Sequence, residues 1–303
     1  MSAELIRNGV KIDDTFAEAF GMRATAIVIT ADTAGWAHQA AVTMTGFATS
    51  VIACGCEAGI DRMLDVSETP DARPGIRVLI FAVSTSVLQQ QLSARLGQCV
   101  LTCAGTACFA GIDGDERLKL GSAIRYFGDG WQISKRLGGK RYWRIPVMDG
   151  ECVCEETTGL TKNAVGGGNL LIMGRDRIST LAASQAAVEA IAAIPDVIMP
   201  FPGGIVRSGS KIGSKYKGLA ASTNEAYCPT LKGRVDSVLS PDIGSVLEIV
   251  IDGLTDAAVR AGMKAGLHAL CERGATAGVV RVGAGNYGGK LGKFQYHLGG
   301  LLA

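Results

Sequence analysis

Charged side chains are scarce in this chain of 303 residues, of which only 19% are Asp, Glu, Lys or Arg and 48% are hydrophobic. Average soluble proteins carry about 25% charged residues. The formal net charge of +2 provides no general attraction to nucleic acid or to an acidic membrane, so neither partner is expected. The shortage of charge predicts much buried surface, and an obligate oligomer is one way to bury it.

Histidine is also rare, with three residues, and none of the nine cysteines forms a C-x-x-C pair. The closest pairs, Cys54/Cys56 and Cys152/Cys154, have the spacing C-x-C. This pattern favours small buried thiols over a metal site. The chain starts without the apolar segment of a secretory leader, and its odd number of cysteines indicates a reducing compartment. We therefore expect a cytoplasmic protein.

One long stretch, from Thr33 to Cys56, contains no charged residue. A membrane-spanning helix needs about 20 consecutive, predominantly apolar residues. Here His38, Gln39 and several threonines interrupt the stretch, and its hydrophobic period changes midway. The sequence therefore predicts that this segment belongs to a folded domain and does not cross a membrane.

Short hydrophobic runs alternate with helical patterns in the first half of the chain. A short capped helix is expected from Asp13 to Phe20. The elements predicted after it are strand Ala24–Thr30, helix Ala34–Met44, strand Ser50–Cys54, strand Arg77–Ala82, helix Thr85–Leu96 and strand Cys99–Cys103. Their order is β-α-β, followed by a second β-α-β.

The middle of the chain, from Leu118 to Val153, has aromatic strand patterns. They are broken by Gly128-Asp-Gly130 and Gly138-Gly139, both of which indicate hairpin turns. The segment is basic, and its cations are Lys135, Arg136, Lys140, Arg141 and Arg144. A solvated hairpin face and a ligand-binding face explain this charge about equally well.

The opening pattern returns in the second half of the chain. The predicted elements are strand Gly168–Met173, helix Ser179–Ala193, strand Val197–Pro200, strand Val246–Ile251, helix Thr255–Cys271 and strand Val279–Val282. Two split β-α-β units in one chain predict an α+β fold of two ferredoxin-like lobes related by internal duplication. We expect the first lobe, with the basic hairpin region, at residues 1–147 and the second, with the Gly-rich loops, at 148–303.

The loop from Pro200 to Lys215 is the most distinctive segment. Its two prolines and four glycines argue against a regular helix or a central strand. It also contains three serines and the cations Arg207, Lys211 and Lys215, but no acid. Backbone N–H groups, hydroxyls and cations together suit an anion or a developing oxyanion. A solvated glycine-rich connection explains the composition about as well.

Glu248 is the unusual residue in the hydrophobic strand Val246–Ile251. A carboxylate buried in such a strand costs several kcal/mol unless it is paired or neutralised. Because strand faces alternate, Glu248 can point away from the core as a solvated residue. Alternatively, it lines a cavity with a raised pKa, as a general acid or base does.

Gly283-Ala-Gly-Asn-Tyr-Gly288 satisfies the dinucleotide pattern G-x-G-x-x-G. That pattern needs a following helix and an acid about 20 residues further on, and no acid follows Gly288. We expect a turn and a strand instead, with Asn286, Lys290 and backbone amides facing a pocket. A helix directly after Gly288 would support the rival function, a nicotinamide oxidoreductase.

The segment Ser222–Pro229 follows the Pro200–Lys215 loop and is rich in hydrogen-bonding side chains. Asn224 and Tyr227 can donate to a carbonyl group or a heterocycle. The structural alternative is a helix cap at Ser222 or Thr223.

Longer motifs extend over nearly the whole chain. In order, they are Asp14–Phe20, Thr45–Val51, Glu57–Asp61, Pro200–Val206, Ser210–Lys215, Ala221–Asn224, Ala226–Thr230 and Ala284–Gly292. Together they resemble the formylmethanofuran:tetrahydromethanopterin formyltransferase family. The resemblance implies a homotetramer of two-lobed subunits without metal or tightly bound cofactor. It also implies formyl transfer between N5 of tetrahydromethanopterin and the amine of methanofuran, two carriers with anionic tails.

The resemblance implies a direct acyl transfer in a ternary complex. Glu248 matches the glutamate of the family's substrate cleft and is the residue expected to exchange a proton, with Lys211 and Ser210 completing the predicted catalytic set. The predicted substrate-binding residues are Arg207, Ser208, Lys215, Asn224, Tyr227, Asn286 and Lys290.

The surface is not acidic, and the chain has thiols that a hot or saline host tends to avoid. By resemblance, we expect a mesophilic bacterium that uses the reaction in formaldehyde oxidation, with formylmethanofuran hydrolase subunits as partners. The alternative is a non-catalytic scaffold subunit. Whether Glu248, Lys211 and Asn224 face one cleft distinguishes the two.

Overall fold

A mixed sheet of fourteen strands runs through both halves of residues 5–302, the part of the chain that the computed structural model describes. Residues 1–4, on which the expectation about a secretory leader partly rests, and residue 303 lie outside this range. β7 with β11 and β14 with β15 form two further, two-stranded sheets. The strands are β1 (Leu5–Arg7), β2 (Val10–Ile12), β3 (Phe16–Thr30), β4 (Glu57–Leu64), β5 (Gly75–Ala82), β6 (Ala107–Ala110), β7 (Arg117–Lys119), β8 (Ile133–Leu137), β9 (Lys140–Val147), β10 (Gly150–Glu155), β11 (Thr157–Gly159), β12 (Thr161–Gly174), β13 (Val197–Ile198), β14 (Lys211–Ile212), β15 (Ala221–Ser222), β16 (Ser245–Gly253), β17 (Val279–Gly283) and β18 (Phe294–His297).

The helices lie on the sheet or at its ends. They are α1 (Ala34–Thr45), α2 (Val51–Cys54), α3 (Thr85–Arg95), α4 (Gly121–Ile124), α5 (Arg177–Ala192), α6 (Asp256–Arg273) and α7 (Leu298–Leu301). None of the helices within residues 5–302 is both long and apolar enough to cross a membrane.

Each half of the chain folds as a split β-α-β unit. In the first, β3, α1, β4, β5, α3 and β6 give the sheet order β4-β5-β3-β6, with antiparallel neighbours. In the second, β12, α5, β13, β16, α6 and β17 give the matching order β13-β16-β12-β17. Because both units have the same connections and the same strand order, the prediction of two duplicated ferredoxin-like lobes is confirmed.

Two long strands join the lobes. β3 pairs through its second half with β5 and β6, and β12 pairs through its second half with β16 and β17. Their first halves pair with each other, from Phe20 against Gly166 to Ala24 against Thr161. A hydrophobic cluster that includes Met22, Phe81 and Ile198 lies between the lobes. The site described below is built where these strands meet.

The chain passes from the first lobe to the second after Gly159, later than predicted. β10 pairs with β9 and β6, and β11 pairs with β7, all strands of the first half. The chain after residue 147 therefore stays with the first lobe as far as Gly159 and enters the second lobe in β12.

The predicted helix from Asp13 to Phe20 is wrong. Residues from Phe16 onward form the start of β3, where they pair with β18 and then with β12. The spacing of Phe16 and Phe20 is compatible with a helix, but partners far away in sequence provide hydrogen bonds that a short isolated helix cannot match.

Two predicted strands of the first half are also wrong. Ser50–Cys54 contains the short helix α2, which Ser50 caps by accepting a hydrogen bond from Ile52 N at 3.3 Å. Cys99–Cys103 lies at the end of a π-helical turn that continues α3. The strands in these regions are the following segments, β4 and β6. Short apolar runs do not distinguish a buried strand from a buried helical turn.

The hairpin turn at Gly138-Gly139 is confirmed, since it joins β8 to β9 with φ angles of 57° and 80°. Gly128-Asp-Gly130 is not a hairpin turn, because it ends a 3₁₀ helix at Arg125–Gly128. The strands predicted at Ala24–Thr30 and Gly168–Met173 are found but begin eight and seven residues earlier, as the long strands β3 and β12. The other predicted strands and helices lie within a few residues of the predicted bounds.

Candidate active site

Glu248 lies on the face of the second lobe's sheet that carries no helix. Its neighbours Ile249 and Ile251 are fully buried in the core formed with α5 and α6. Because side chains alternate along a strand, Glu248 points to the opposite face, where it is partly buried. This placement supports the cavity interpretation of Glu248 over that of a solvated surface residue.

The electrostatic state of Glu248 suits proton exchange. Burial raises the pKa of its carboxyl to about 7. A group with this pKa is present in both protonation states near neutral pH, so it can accept a proton and return it. The residue thus combines a partly buried position on the helix-free face of the sheet with a pKa suited to acid–base chemistry.

The Pro200–Lys215 loop pairs with the backbone of Glu248 through Val206. Val206 N donates to Glu248 O at 2.7 Å, and Glu248 N donates to Val206 O at 2.9 Å. Arg207 and Ser208, which follow Val206, are exposed. This backbone bridge brings the cationic loop and the carboxyl-bearing strand together, although 42 positions separate Val206 from Glu248 in sequence.

The far part of the loop forms a small hairpin, β14 with β15. Lys211 donates to Glu225, an acid outside the loop, and forms an ion pair with it. Ser210 and Lys215 are exposed. The loop itself contains no acid, but the fold places the carboxylate of Glu225 next to it.

Asn224 and Tyr227 flank this hairpin in different environments. Asn224 lies beside Gly209, so it borders the loop. Tyr227 packs on a hydrophobic cluster with Met173 and Leu239. Burial, followed by the nearby charge of Asp13, raises the pKa of Tyr227. Asn224 therefore belongs to the loop wall, whereas Tyr227 contributes mainly to packing beneath it.

The glycine-rich segment after β17 folds around a buried carboxylate. Glu18, 1% exposed, accepts hydrogen bonds from Tyr287 N at 2.6 Å, Gly289 N at 2.9 Å, Leu291 N at 2.7 Å and Gly292 N at 2.5 Å. Burial alone would raise the pKa of Glu18, but the four amides lower it to about 2. The sequence predicts that these amides face a pocket. They bind Glu18 instead.

Asn286 and Lys290, in the same segment, also have different surroundings. The Asn286 side chain donates to Thr15 Oγ1 at 3.1 Å and to Phe16 O at 3.2 Å, so it shapes its own segment. Lys290 is exposed. As expected, the segment after Gly288 is a turn followed by strand β18, which leaves the oxidoreductase alternative without its helix.

Sequence reasoning missed Tyr287, Phe20 and Glu18. Tyr287 and Phe20 are partly exposed, and their ring centroids are 6.1 Å apart. Burial, followed by the charges of Glu248 and Glu18, raises the pKa of Tyr287. Leu171 of β12 pairs with Glu248 on one side and with Gly283 on the other, so the segment that carries Tyr287 begins two strands away from Glu248. The available signal is the position of Tyr287 inside the family motif Ala284–Gly292, between the predicted binding residues Asn286 and Lys290.

Another buried acid of β16, Asp252, lies on the same strand face as Glu248, near Glu57 of β4 at the junction of the lobes. Asp252 is fully buried, and its Oδ1 accepts a hydrogen bond from Gly167 N at 3.0 Å. Burial, and then the charge of Glu57, raises the pKa of Asp252 well above its usual value. Burial and the nearby charge of Glu57 thus both favour the neutral form of Asp252.

The basic hairpin region is largely neutralised by the neighbouring segment. Lys140 pairs with Glu155 at 3.1 Å, Arg141 with Glu156 at 3.4 Å and Arg144 with Glu151 at 2.5 Å. These contacts favour the solvated hairpin face over the ligand-binding interpretation.

The thiols and other possible metal ligands form no metal-binding group in the described part of the chain. No set of three or more His, Cys, Asp or Glu side chains is placed to hold an ion within residues 5–302. Cys108, Cys152 and Cys154 are buried. Cys56 and Cys271 are buried as well, whereas the other four cysteines are partly exposed.

Comparisons with known proteins identify the same family over both lobes. A family model described as formylmethanofuran-tetrahydromethanopterin formyltransferase matches residues 5–147, and one described as the proximal lobe of FTR matches residues 150–301. The chain is 62% identical over 299 residues to the formylmethanofuran–tetrahydromethanopterin formyltransferase of Methylococcus capsulatus, covering 99% of this chain and 100% of the relative.

Solved structures agree. The formyltransferase/hydrolase complex of Methylorubrum extorquens with methylofuran contains a chain of 59% identity and TM-score 0.97, with 99% of each chain covered. The formyltransferase of Methanosarcina barkeri has 44% identity and TM-score 0.92, with 98% of this chain and 100% of that chain covered.

Proposed function

The chain belongs to the formylmethanofuran–tetrahydromethanopterin formyltransferase family, and from this premise we propose that it transfers a formyl group between N5 of tetrahydromethanopterin and the amine of methanofuran. It is a transferase, and both carriers are its substrates. The reaction forms a bond from the amine nitrogen to the formyl carbon and breaks the bond from that carbon to N5.

The observation that carries the proposal is Glu248. Its carboxyl, with a pKa of about 7, stands on the helix-free sheet face, and the backbone of Glu248 pairs with Val206 of the Pro200–Lys215 loop. In the proposed mechanism Glu248 takes the proton of the attacking amine and returns a proton to N5 as the bond to N5 breaks. This role needs no net gain or loss of a proton by the enzyme. A scaffold subunit would have no need for such a carboxyl.

The tetrahedral intermediate also needs a partner for its oxyanion. We assign this role to Lys211 and Ser210, which the β14–β15 hairpin carries. The ion pair with Glu225 fixes the orientation of the Lys211 ammonium while the site is empty of substrate. Ser208 lies in the Pro200–Lys215 loop and Asn224 lies beside it, so both can donate to a carrier bound there.

The exposed cations Arg207, Lys215 and Lys290 are proposed to receive the anionic tails of the carriers. Asn286 and Tyr227 would act through the segments that they hold in place. Holding both carriers in line supplies a further part of the rate.

We further propose a cytoplasmic homotetramer that joins formylmethanofuran hydrolase subunits, as expected for one-carbon metabolism that oxidises formaldehyde to formate. The support is the solved relative described as a formyltransferase/hydrolase complex. The division of the sequence at 147/148 is likewise a proposal, supported by family models that end at 147 and restart at 150, although β10 and β11 of the second segment pair with strands of the first lobe.

A transfer assay tests the function. The purified, chelator-treated chain receives formyl-tetrahydromethanopterin and methanofuran, and loss of the formyl-pterin is followed. We expect wild-type activity to survive chelation and Glu248→Gln to reduce kcat by about 10²- to 10⁴-fold. Glu189→Gln, an exposed change on α5, is the matched control and should have wild-type activity. No transfer by the folded wild type, alone and with hydrolase subunits, would contradict the proposal.

A further inference from the structure

The segment Gly283–Gly292, here called the Tyr287 loop, is held from below by one buried carboxylate. Four of its backbone N–H groups donate to Glu18 of β3 at distances from 2.5 to 2.9 Å. Hydrogen bonds to an ionised acceptor are roughly twice as strong as neutral ones. A single side chain therefore fixes the path of the loop over most of its length.

Two asparagines complete the attachment of the loop. Asn169 of β12 accepts from Gly285 N at 2.6 Å and donates to Gly285 O at 3.1 Å. Asn286 donates to Thr15 and Phe16 at the start of β3, and it accepts from Gly288 N at 3.0 Å. The loop is thus fastened to both long central strands, although it is rich in glycine.

Tyr287 is the large, partly exposed side chain of this loop, and its ring lies beside that of Phe20. Glu18 and Phe20 lie on one face of β3, two residues apart, so the carboxylate that holds the loop and the ring beside Tyr287 share that face. The rings of Phe20 and Tyr287 are inclined at 52° with centroids 6.1 Å apart. They are 38% and 43% exposed, respectively. Two partly exposed rings next to a polar site form a surface suited to packing against another ring.

We propose that Tyr287, with Phe20 beside it, binds the flat ring of a carrier against Glu248, and that Glu18 is a positioning residue that holds Tyr287 there. This inference rests on the proposed function, which supplies the two carriers. Both carriers contain a ring, the heterocycle of tetrahydromethanopterin and the furan of methanofuran. The shared chemistry is a planar ring that packs against an aromatic side chain.

The first test measures carrier binding by calorimetry and therefore does not depend on activity. Wild type, Tyr287→Ala and Tyr287→Phe are titrated separately with tetrahydromethanopterin and with methanofuran. We expect Tyr287→Ala to raise Kd for one carrier about tenfold and Tyr287→Phe, which keeps the ring, to stay within about twofold. The carrier affected identifies the ring. Tyr126→Ala, an exposed tyrosine of the first lobe, is the matched control.

The second test asks whether Glu18 acts through Tyr287. Glu18→Gln removes the charge and replaces one acceptor oxygen by an amide nitrogen, so two of the four loop amides lose their partner. We expect the same Kd to rise in the wild-type background but to change by less than about twofold in the Tyr287→Ala background. Glu155→Gln, which changes another buried carboxylate bonded to the backbone, controls for general destabilisation.

The outcomes separate the inference from the function. Unchanged affinity for both carriers in Tyr287→Ala would overturn the role of Tyr287, and full additivity of the two changes would overturn the positioning role of Glu18. If Glu18→Gln does not fold, the comparison of Tyr287→Ala with Tyr287→Phe still decides the ring contact. If the wild type binds neither carrier, the proposed function itself fails.

Discussion

Single residues in this protein owe their properties to partners that are distant in sequence. Glu248 is a plain exception in a hydrophobic strand, so the sequence alone identifies it as a candidate. Glu18 is not identifiable in that way, because its four hydrogen-bond donors come from a loop more than 260 positions away. Asn286 and Tyr287 stand side by side in one motif, yet only the fold shows that Asn286 donates to Thr15 and Phe16 and that the partly exposed ring of Tyr287 lies beside Phe20.

The ionisation of Glu18 predicts a loss of stability in acid. Its pKa is lowered to about 2 in the folded protein from an ordinary value of 4.5. The stabilisation is therefore complete above pH 4.5 and is lost as the pH falls toward about 2. We expect the free energy of unfolding to fall more steeply between pH 5 and pH 3 in wild type than in Glu18→Gln, as measured by urea unfolding.

The exposed variant Glu189→Gln serves as the control, since it removes a solvated carboxylate. It should keep the wild-type slope over the same pH range. Equal slopes for wild type and Glu18→Gln would mean that the four amides do not stabilise the ionised form.

Helices and strands are predicted correctly where the hydrophobic pattern extends over many residues, and the wrong predictions fall on short patterns. The helices α1, α3, α5 and α6 each extend over at least three turns and match their predictions closely. The segments Asp13–Phe20, Ser50–Cys54 and Cys99–Cys103 are five to eight residues long, and tertiary pairing or helix continuation decides their conformation. The backbone bridge between Val206 and Glu248 could not be derived from local pattern, because it depends on where a long loop returns.

The hairpin of β8 and β9 supplies a prediction at the scale of an element. Arg144 is paired with Glu151 on the neighbouring strand, whereas Arg207 lies exposed beside the cleft. We expect Arg207→Gln to raise KM for a carrier up to roughly fivefold, the usual strength of an exposed charge contact. Arg144→Gln should leave KM within about twofold, because its charge is already neutralised.

Steady-state kinetics for both carriers measure these effects. A larger rise in KM for Arg144→Gln than for Arg207→Gln would restore the basic hairpin as the binding surface for the anionic tails.

At the scale of the whole molecule, two copies of one fold share a continuous sheet, and the site lies where they join. The internal duplication follows from the repeated order of strands and helices in the sequence. The joining of the lobes does not, because it depends on the antiparallel contact of β3 with β12 and on buried groups such as Glu57 and Asp252. These contacts become visible only when both lobes are placed together.

The raised pKa of Asp252 beside Glu57 makes the junction of the lobes sensitive to a rise in pH above 3.8. Because the pKa of Asp252 is raised above its ordinary value of 3.8, its protonated form contributes stability at low pH that is lost as the pH rises toward the folded pKa. We expect Asp252→Asn, which can donate to Glu57 at any pH, to lose less stability than wild type between pH 6 and pH 9.

Urea unfolding at several pH values measures this difference, with the exposed variant Asp129→Asn as the control. If wild type and Asp252→Asn have the same pH dependence, Asp252 does not hold a proton in the folded protein.

The pH profile of formyl transfer tests the central claim, that Glu248 exchanges the proton. The rate constant kcat/KM for formyl-tetrahydromethanopterin is measured at saturating methanofuran from pH 5 to pH 9. We predict a rise with an apparent pKa of about 7, the pKa of Glu248, because the attacking amine must give its proton to the ionised carboxylate. In Glu248→Gln the rate should be lower by orders of magnitude and the inflection absent. A variant that keeps both the rate and the inflection near pH 7 would contradict the account.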